Sequence, residues 1–315
     1  MTLTLEQGYV VGLVTTRDSV WEIRTLADGG QSVDLIEQDR FPACGTPPAT
    51  GPRRELGDVD PCPNPTDPVA SVDVLSLYTP QARDASGGVP QIEALIQAAV
   101  DNTNTAYVNS EMPIRFRLVG TALANHDDSG SSGTDLNWLA GDAVTAALRD
   151  TLKADLVSLI TQDGGGFCGI GQLPINWGPG GNPDSVHQVT ARGCAVGNLT
   201  YAHEHGHNMG LEHDPANANP PGAGSYPYRY GHFVSGSYRT VMSYSNQCQG
   251  GCTRVTQWSN PEVVFMGQPT GIEDQRDNRR ASGLSDGCIT DYRIGGLFAD
   301  GFESGDTSAW SVVQQ

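Results

Sequence analysis

The chain has 315 residues, enough for one large domain or two modest ones, and its composition is rich in glycine and proline. A net charge of −18, from 36 acidic against 18 basic residues, argues against nucleic acid or an anionic membrane as partner. No apolar run reaches the about 18 residues of a membrane span, and seven cysteines point to an oxidising, extracellular compartment.

The opening MTLTLEQGYVVG lacks the basic leader, apolar segment and cleavage site of a signal peptide. Either an export signal has been removed or, the reading preferred here, Met1 lies inside a longer precursor. Residues 1–43 read as β-rich, with short strands at Gly8–Thr15, Val20–Thr25 and Ser32–Glu37 separated by polar turns. Three short strands make a small core, so this segment is expected to pack on something else. Residues 44–69, CGTPPATGPRRELGDVDPCPNPTDPV, are dense in proline and glycine and read as an extended connector. Arg53-Arg54 in its middle is open to two readings, a maturation site or a pair of solvated arginines.

From residue 70 the pattern becomes α/β. Ser71–Tyr78 is an apolar run suited to a buried strand. Val89–Ser110 places Ile92, Leu95, Ile96, Ala99, Val100, Thr103 and Tyr107 on one helical face. Ile114, Phe116 and Leu118 alternate with Arg115 and Arg117 in a half-buried strand. A shorter helix over Asp142–Leu152 and a strand over Asp155–Thr161 follow. Within glycine-rich sequence, Gly169–Leu173 and Val186–Arg192 each suit a strand. Asn198 heads the next helix as a capping side chain or, alternatively, a glycosylation acceptor. Residues 214–230 read as loop, and Glu273–Tyr292 as mostly helical.

The stretch HEHGHNMGLEHD, His203 to Asp214, carries the chemistry. His203 and His207, four apart, point from one helical face toward a common ion. Glu204 is not a ligand in this geometry but reaches a metal-bound water. Gly210 lets the helix end in a left-handed turn, after which the chain doubles back and delivers His213. Three protein ligands with one open position mark a catalytic zinc site rather than a closed structural one. His205 falls on the other side of the helix, toward solvent or a supporting layer.

The extended pattern HExxHxxGxxH, with Thr240-Val241-Met242-Ser243-Tyr244 downstream as a methionine turn, resembles the metzincin zinc endopeptidases. Asp214 directly after the third histidine, VDVLSLYTPQAR, ADLVSLIT and QWSNPEVVFMGQPTG narrow the resemblance to the adamalysin, or reprolysin-like, branch and its secreted bacterial members, over roughly residues 69 to 293. The resemblance implies an α/β (α+β) catalytic domain at 70–293, with a twisted mixed sheet above, helices below and a zinc cleft between, preceded by a propeptide remnant. It makes His203, His207 and His213 the zinc ligands and Glu204 the general base, with a protein or peptide as substrate. Met242 forms the floor of the site. Gly169, Ile170, Gly171, Gln172 and Leu173 form the edge strand along which substrate lies extended.

Tyr244 departs from the nearest branch. It stands where astacins and serralysins carry a removable fifth zinc ligand, and the alternative is a phenol lining the specificity pocket. Cys168–Cys194 is the preferred disulfide, tying the edge-strand loop to the base of the helix. Cys44 is open to two readings: a propeptide thiolate that occupies the fourth zinc position, or a disulfide partner of Cys62. The tail, residues 294–315, resembles a segment near the C-termini of many secreted bacterial proteins. Its Asp300, Glu303 and Asp306 are calcium candidates or a solvated acidic turn. The leading expectation is a secreted, monomeric zinc endopeptidase made as a zymogen. A zinc hydrolase of another amide and an inert binding or adhesion scaffold are the alternatives.

Overall fold

Strict alternation of apolar residues on two neighbouring strands decides the architecture. In β5 (Ala70–Tyr78), Val72, Val74 and Tyr78 belong to one core cluster and Leu75 and Leu77 to another. In β7 (Leu156–Thr161), Leu156 and Ile160 face the first cluster, and Val157 and Leu159 the second. A sheet buried on both faces must be covered on both, which makes three layers. The computed structural model describes residues 1–16, 19–45, 68–173, 186–218, 228–283, 285–290 and 292–293. Arg53, Arg54 and Cys62 of the connector, and Asp300, Glu303 and Asp306 of the tail, lie outside them.

The first four strands, β1 (Thr2–Glu6), β2 (Tyr9–Thr15), β3 (Val20–Thr25) and β4 (Gln31–Ile36), form an antiparallel meander. The sequence suggests three strands here; the missed one, TLTLE, has only Thr4 buried and so lacks the apolar signal. The central sheet has the order β6-β5-β7-β9-β8, with β6 (Ile114–Leu123) and β9 (His187–Ala191) parallel to their neighbours and β8 (Gly169–Gly171) antiparallel at the edge. Helix α1 (Pro80–Ser86) is capped by the Thr79 side chain. Helix α2 (Val89–Asn109) is the crossover from β5 to β6, and all seven residues of its predicted apolar face are buried.

Two further helices, α3 (Ser132–Gly141) and α4 (Ala143–Leu152), follow. Leu136 and Leu139 of α3 and Leu148 and Leu152 of α4 pack on Leu75, Leu77, Val157 and Leu159, so helices cover the sheet on both faces rather than below it alone. Helix α3 escapes the sequence reading because two glycines flank a short apolar pattern. The active-site helix α5 (Thr200–Asn208) lies on the same face as α2. Ser76 and Ser158, on adjacent strands, share a buried hydrogen-bonded cluster with the Tyr201 hydroxyl, which anchors α5 to the sheet. The predicted C-terminal helix is two short ones, α6 (Asn278–Gly283) and α7 (Asp286–Ile289). No helix among the described residues is long and apolar enough to cross a membrane.

The N-terminal meander is built into this core. Val11, Leu13 and Val20 join the cluster around α2, and Thr2 hydrogen-bonds Thr105 of that helix. The Glu22 carboxylate accepts from the Gly197 N–H at 2.9 Å, and burial pushes its pKa up. Gln38 donates to the Gly197 and Arg254 carbonyls and accepts from the Arg254 N–H.

Candidate metal centre

Helix α5 puts His203 and His207 one turn apart and then stops. Gly210, at φ +83°, is the left-handed residue of a paired cap: its N–H bonds the His207 carbonyl and the Leu211 N–H bonds the Gly206 carbonyl, each at 2.8 Å. The reversal carries His213 back to the first two. The Nε2 atom of His213 lies 3.0 Å from that of His207 and 3.1 Å from that of His203. Three nitrogens bound at about 2.0–2.1 Å in a tetrahedral set stand roughly 3.3 Å apart, so the triad has the dimensions of a zinc site.

The outer ring nitrogens fix the tautomers. Nδ1 of His203 faces the Val241 carbonyl at 2.8 Å, that of His207 the Leu211 carbonyl at 3.0 Å, and that of His213 the Asn217 carbonyl at 3.1 Å. A carbonyl can only accept, so each Nδ1 carries the proton and three Nε2 lone pairs face one another. A metal cation satisfies all three at once. Burial keeps the rings neutral: the pKa values of His203 and His207 are held well below the ordinary imidazole range and that of His213 is lowered to about 4.

Glu204 is fully buried beside the triad, and burial raises its pKa to about 8 against the lowering effects of the Cys44 thiol, Arg254 and the Gly171 amide. A dication beside it acts in the opposite direction. The edge strand presses directly on this residue: a Cβ at Gly169 would stand 2.8 Å from Glu204 Cγ, and one at Gly171 only 2.5 Å from its carbonyl oxygen. The strand itself ends at Gly171 rather than Leu173; the Gln172 N–H still bonds the His187 carbonyl of β9 at 3.0 Å, and the Gln172 carbonyl accepts from Asn208 of α5.

Met242 is buried, and Val241 beside it supplies the carbonyl that orients His203. Asp214 ties the third-histidine turn to this loop by accepting from the Tyr244 N–H at 3.0 Å and from the Ser243 hydroxyl at 3.3 Å. The Tyr244 ring packs 4.3 Å from that of His213, and its hydroxyl donates to the Cys44 carbonyl at 2.8 Å. Cys44 is a free, buried thiol whose Sγ, an Nε2 or Nδ1 of His203 and a Glu204 oxygen all lie within 4.8 Å of one another. Its segment runs along the edge strand: the Gly45 N–H bonds the Gly169 carbonyl, and the Cys168 N–H the Ala43 carbonyl. Cys168 and Cys194 form a disulfide, as do Cys248 and Cys252.

With this geometry in hand, comparison with known proteins is decisive. The family model of the reprolysin-like metallo-peptidases, family M12B, matches residues 68–276. The chain belongs to that family. M12B reprolysin-like peptidases use zinc, and the histidine triad has the dimensions to hold it. Similar curated proteins are the peptidyl-Asp metalloendopeptidases of Xanthomonas campestris pv. campestris (29% identical, over 86% of this chain and 64% of that protein) and Stenotrophomonas maltophilia strain K279a (31%, over 71% and 53%). That of Pseudomonas aeruginosa is 33% identical over 71% of this chain and 40% of its own. This chain therefore spans between 40% and 64% of the length of these relatives. A chain in a solved chaperone–substrate complex shares the fold, with a TM-score of 0.58 at 21% identity over 72% of this chain and 36% of that one.

Two details of the M12B site differ from the sequence reading. His205 is neither solvent-facing nor beside the metal position. Its ring packs edge-on against Tyr201 and Phe116 in the core, bonds Asn208 through Nδ1, and has its pKa lowered to about 3 by burial. Asn198 is not the helix cap, since Leu199 holds that position at φ 54°. The Asn198 side chain is buried, donating to the Thr200 hydroxyl, and so is also closed to glycosylation in this state. Sequence reasoning missed two arginines, Arg239 and Arg254, which lie buried beside the site. Nothing local marks them, because they stand on two-residue strands that only tertiary packing defines.

Proposed function

We propose that this chain is a secreted zinc endopeptidase held as a zymogen by its own N-terminal segment. The observation that carries the proposal is the convergence of three Nε2 lone pairs with a buried carboxylate one residue from the first of them. Zinc bound there would supply a Lewis acid for the scissile carbonyl and a more acidic attacking water. His203, His207 and His213 would hold the ion, each aligned by the carbonyl on its Nδ1. Glu204 takes the proton of the attacking water and delivers it to the leaving amine. Met242 is the floor beneath the triad.

Residues 1–45 act as the prosegment, with Cys44 as the group that fills the fourth position and Ala43–Gly45 lying where substrate would add to β8. Tyr244 supports the latch through its hydrogen bond to the Cys44 carbonyl, and is freed to face substrate once the segment leaves. The names of the relatives support cleavage of peptide bonds next to aspartate. Casein cleavage after activation tests the catalytic reading: Glu204→Ala is expected to lose about 10²–10⁴-fold in rate while keeping one zinc per chain. Equal rates in the two proteins, or no effect of a chelator on either, would refute it.

A further inference from the structure

Two buried arginines near the metal position make no salt bridge among the described residues. Arg239 and Arg254 are register partners on the paired two-residue strands Tyr238–Arg239 and Thr253–Arg254, so both side chains leave the same face of that ladder. Like charges set directly opposite each other repel, and both residues are 97% buried, with relative exposure of 3% each. Arg254 donates to the Asn198 carbonyl at 2.8 Å and Arg239 to the Ser243 carbonyl at 2.9 Å. The Nε of each has no hydrogen-bond partner, and neither makes a salt bridge among the described residues. The acidic groups acting on them are Cys44 and Tyr244 for both, with Asp39, exposed on the N-terminal segment, for Arg239 and Glu204 for Arg254; Cys44 leaves with the N-terminal segment.

A chain of net charge −18 with only 18 cationic residues gains nothing in stability from burying an unpaired pair of them. Both line a cavity of about 140 Å³ that Asn198 and Tyr244–Asn246 also border, and that Gln38 and Phe41–Cys44 of the N-terminal segment close on the other side. Its volume is that of roughly four or five waters, enough for a short side chain. Cys44, which lines the cavity, also has its Sγ within 4.8 Å of His203 and Glu204, so the cavity neighbours the metal position through that residue. Phe41, Pro42 and Ala43 present no charge to it.

We propose that Arg254 and Arg239 form the receptor for an acidic substrate side chain, that of aspartate, flanking the scissile bond on the side now filled by Phe41–Ala43. A carboxylate there would accept from the free Nε–H groups and neutralise the opposed guanidinium ions, and departure of the N-terminal segment would open the pocket. This inference rests on the endopeptidase reading. It assigns the residues that would make such an enzyme select aspartate.

The test uses the full chain activated by limited proteolysis, with peptides identical except for Asp, Glu, Asn or Leu at one position, and mass spectrometry to locate each cut. Wild type is expected to favour Asp over Asn by at least about 100-fold in kcat/KM, because a site built to pair a buried charge rejects the uncharged isostere strongly. Arg254→Met and Arg239→Met should each collapse the Asp-to-Asn ratio by at least about 30-fold, whatever the total rate. Arg254→Lys, which keeps the charge, should retain part of the ratio, and it serves if the methionine variant fails to fold. An Asp-to-Asn ratio unchanged in the variants overturns the proposal. Zinc-dependent casein cleavage by wild type with no acidic preference also overturns it while leaving the protease reading intact, and no cleavage at all removes both.

Discussion

Gly206, between the two helical histidines, shows how narrowly each position of the site is determined. A Cβ built there would stand 2.5 Å from the Met242 sulfur and 2.9 Å from the Trp258 ring, so only glycine lets the methionine loop reach the helix. Gly206→Ala is expected to cost about 1–3 kcal/mol from overpacking and to weaken zinc retention, because Val241, next to Met242, orients His203. Calorimetry with metal analysis on the same samples checks both effects. Asp214 acts similarly through its hydrogen bonds to Ser243 and Tyr244. Asp214→Ala should lower zinc occupancy by about 10–100-fold in affinity without removing a ligand, measured by competition with a chelator of known strength. The histidines were legible in the sequence because a helix turns spacing directly into geometry. Arg239 and Arg254 were not, because their burial depends on strands Tyr238–Arg239 and Thr253–Arg254 pairing across a loop.

At the scale of elements, the sequence was most informative where a periodic pattern was long. The apolar stripe of α2 and the alternation in β6 needed no tertiary knowledge, whereas β1 and α3 carry too few apolar residues to stand out. One carboxylate inside the sheet makes a further prediction. Asp155, at the head of β7, accepts from the Asp73 N–H at 2.8 Å, and burial raises its pKa to about 7. The folded carboxyl thus binds its proton more tightly than the unfolded one, whose pKa is near the ordinary 3.8. Its contribution to stability is fully present below about pH 4 and is lost as pH rises through about 7. Asp155→Asn keeps an acceptor for Asp73 but does not ionise. It should raise Tm at pH 8 by about 2–4 °C or more and change it little at pH 4; melting curves at both pH values decide this.

For the whole molecule, the N-terminal segment and the catalytic domain form one packed unit. Val11, Leu13 and Val20 enter the main core, Gln38 brackets Arg254, and Ala43–Gly45 runs along the edge strand to bring Cys44 to the triad. The composition of residues 1–43 marked them as β-rich and unable to stand alone, but no sequence pattern could say where Cys44 would come to rest. That required the fold of both parts. Replacing Cys44 by alanine in the full chain should remove the hold of the segment on the fourth position, so that Ala43–Gly45 leaves the edge strand more readily. Casein cleavage without prior processing is then expected to rise at least about 10-fold. Zinc K-edge absorption spectroscopy of the full, unprocessed chain tests the central claim most directly. One sulfur near 2.3 Å and three nitrogens near 2.0–2.1 Å are expected, about the distances of such ligands, with the sulfur lost on activation. A zinc shell without sulfur before activation, or a chain that holds no stoichiometric zinc, would contradict it.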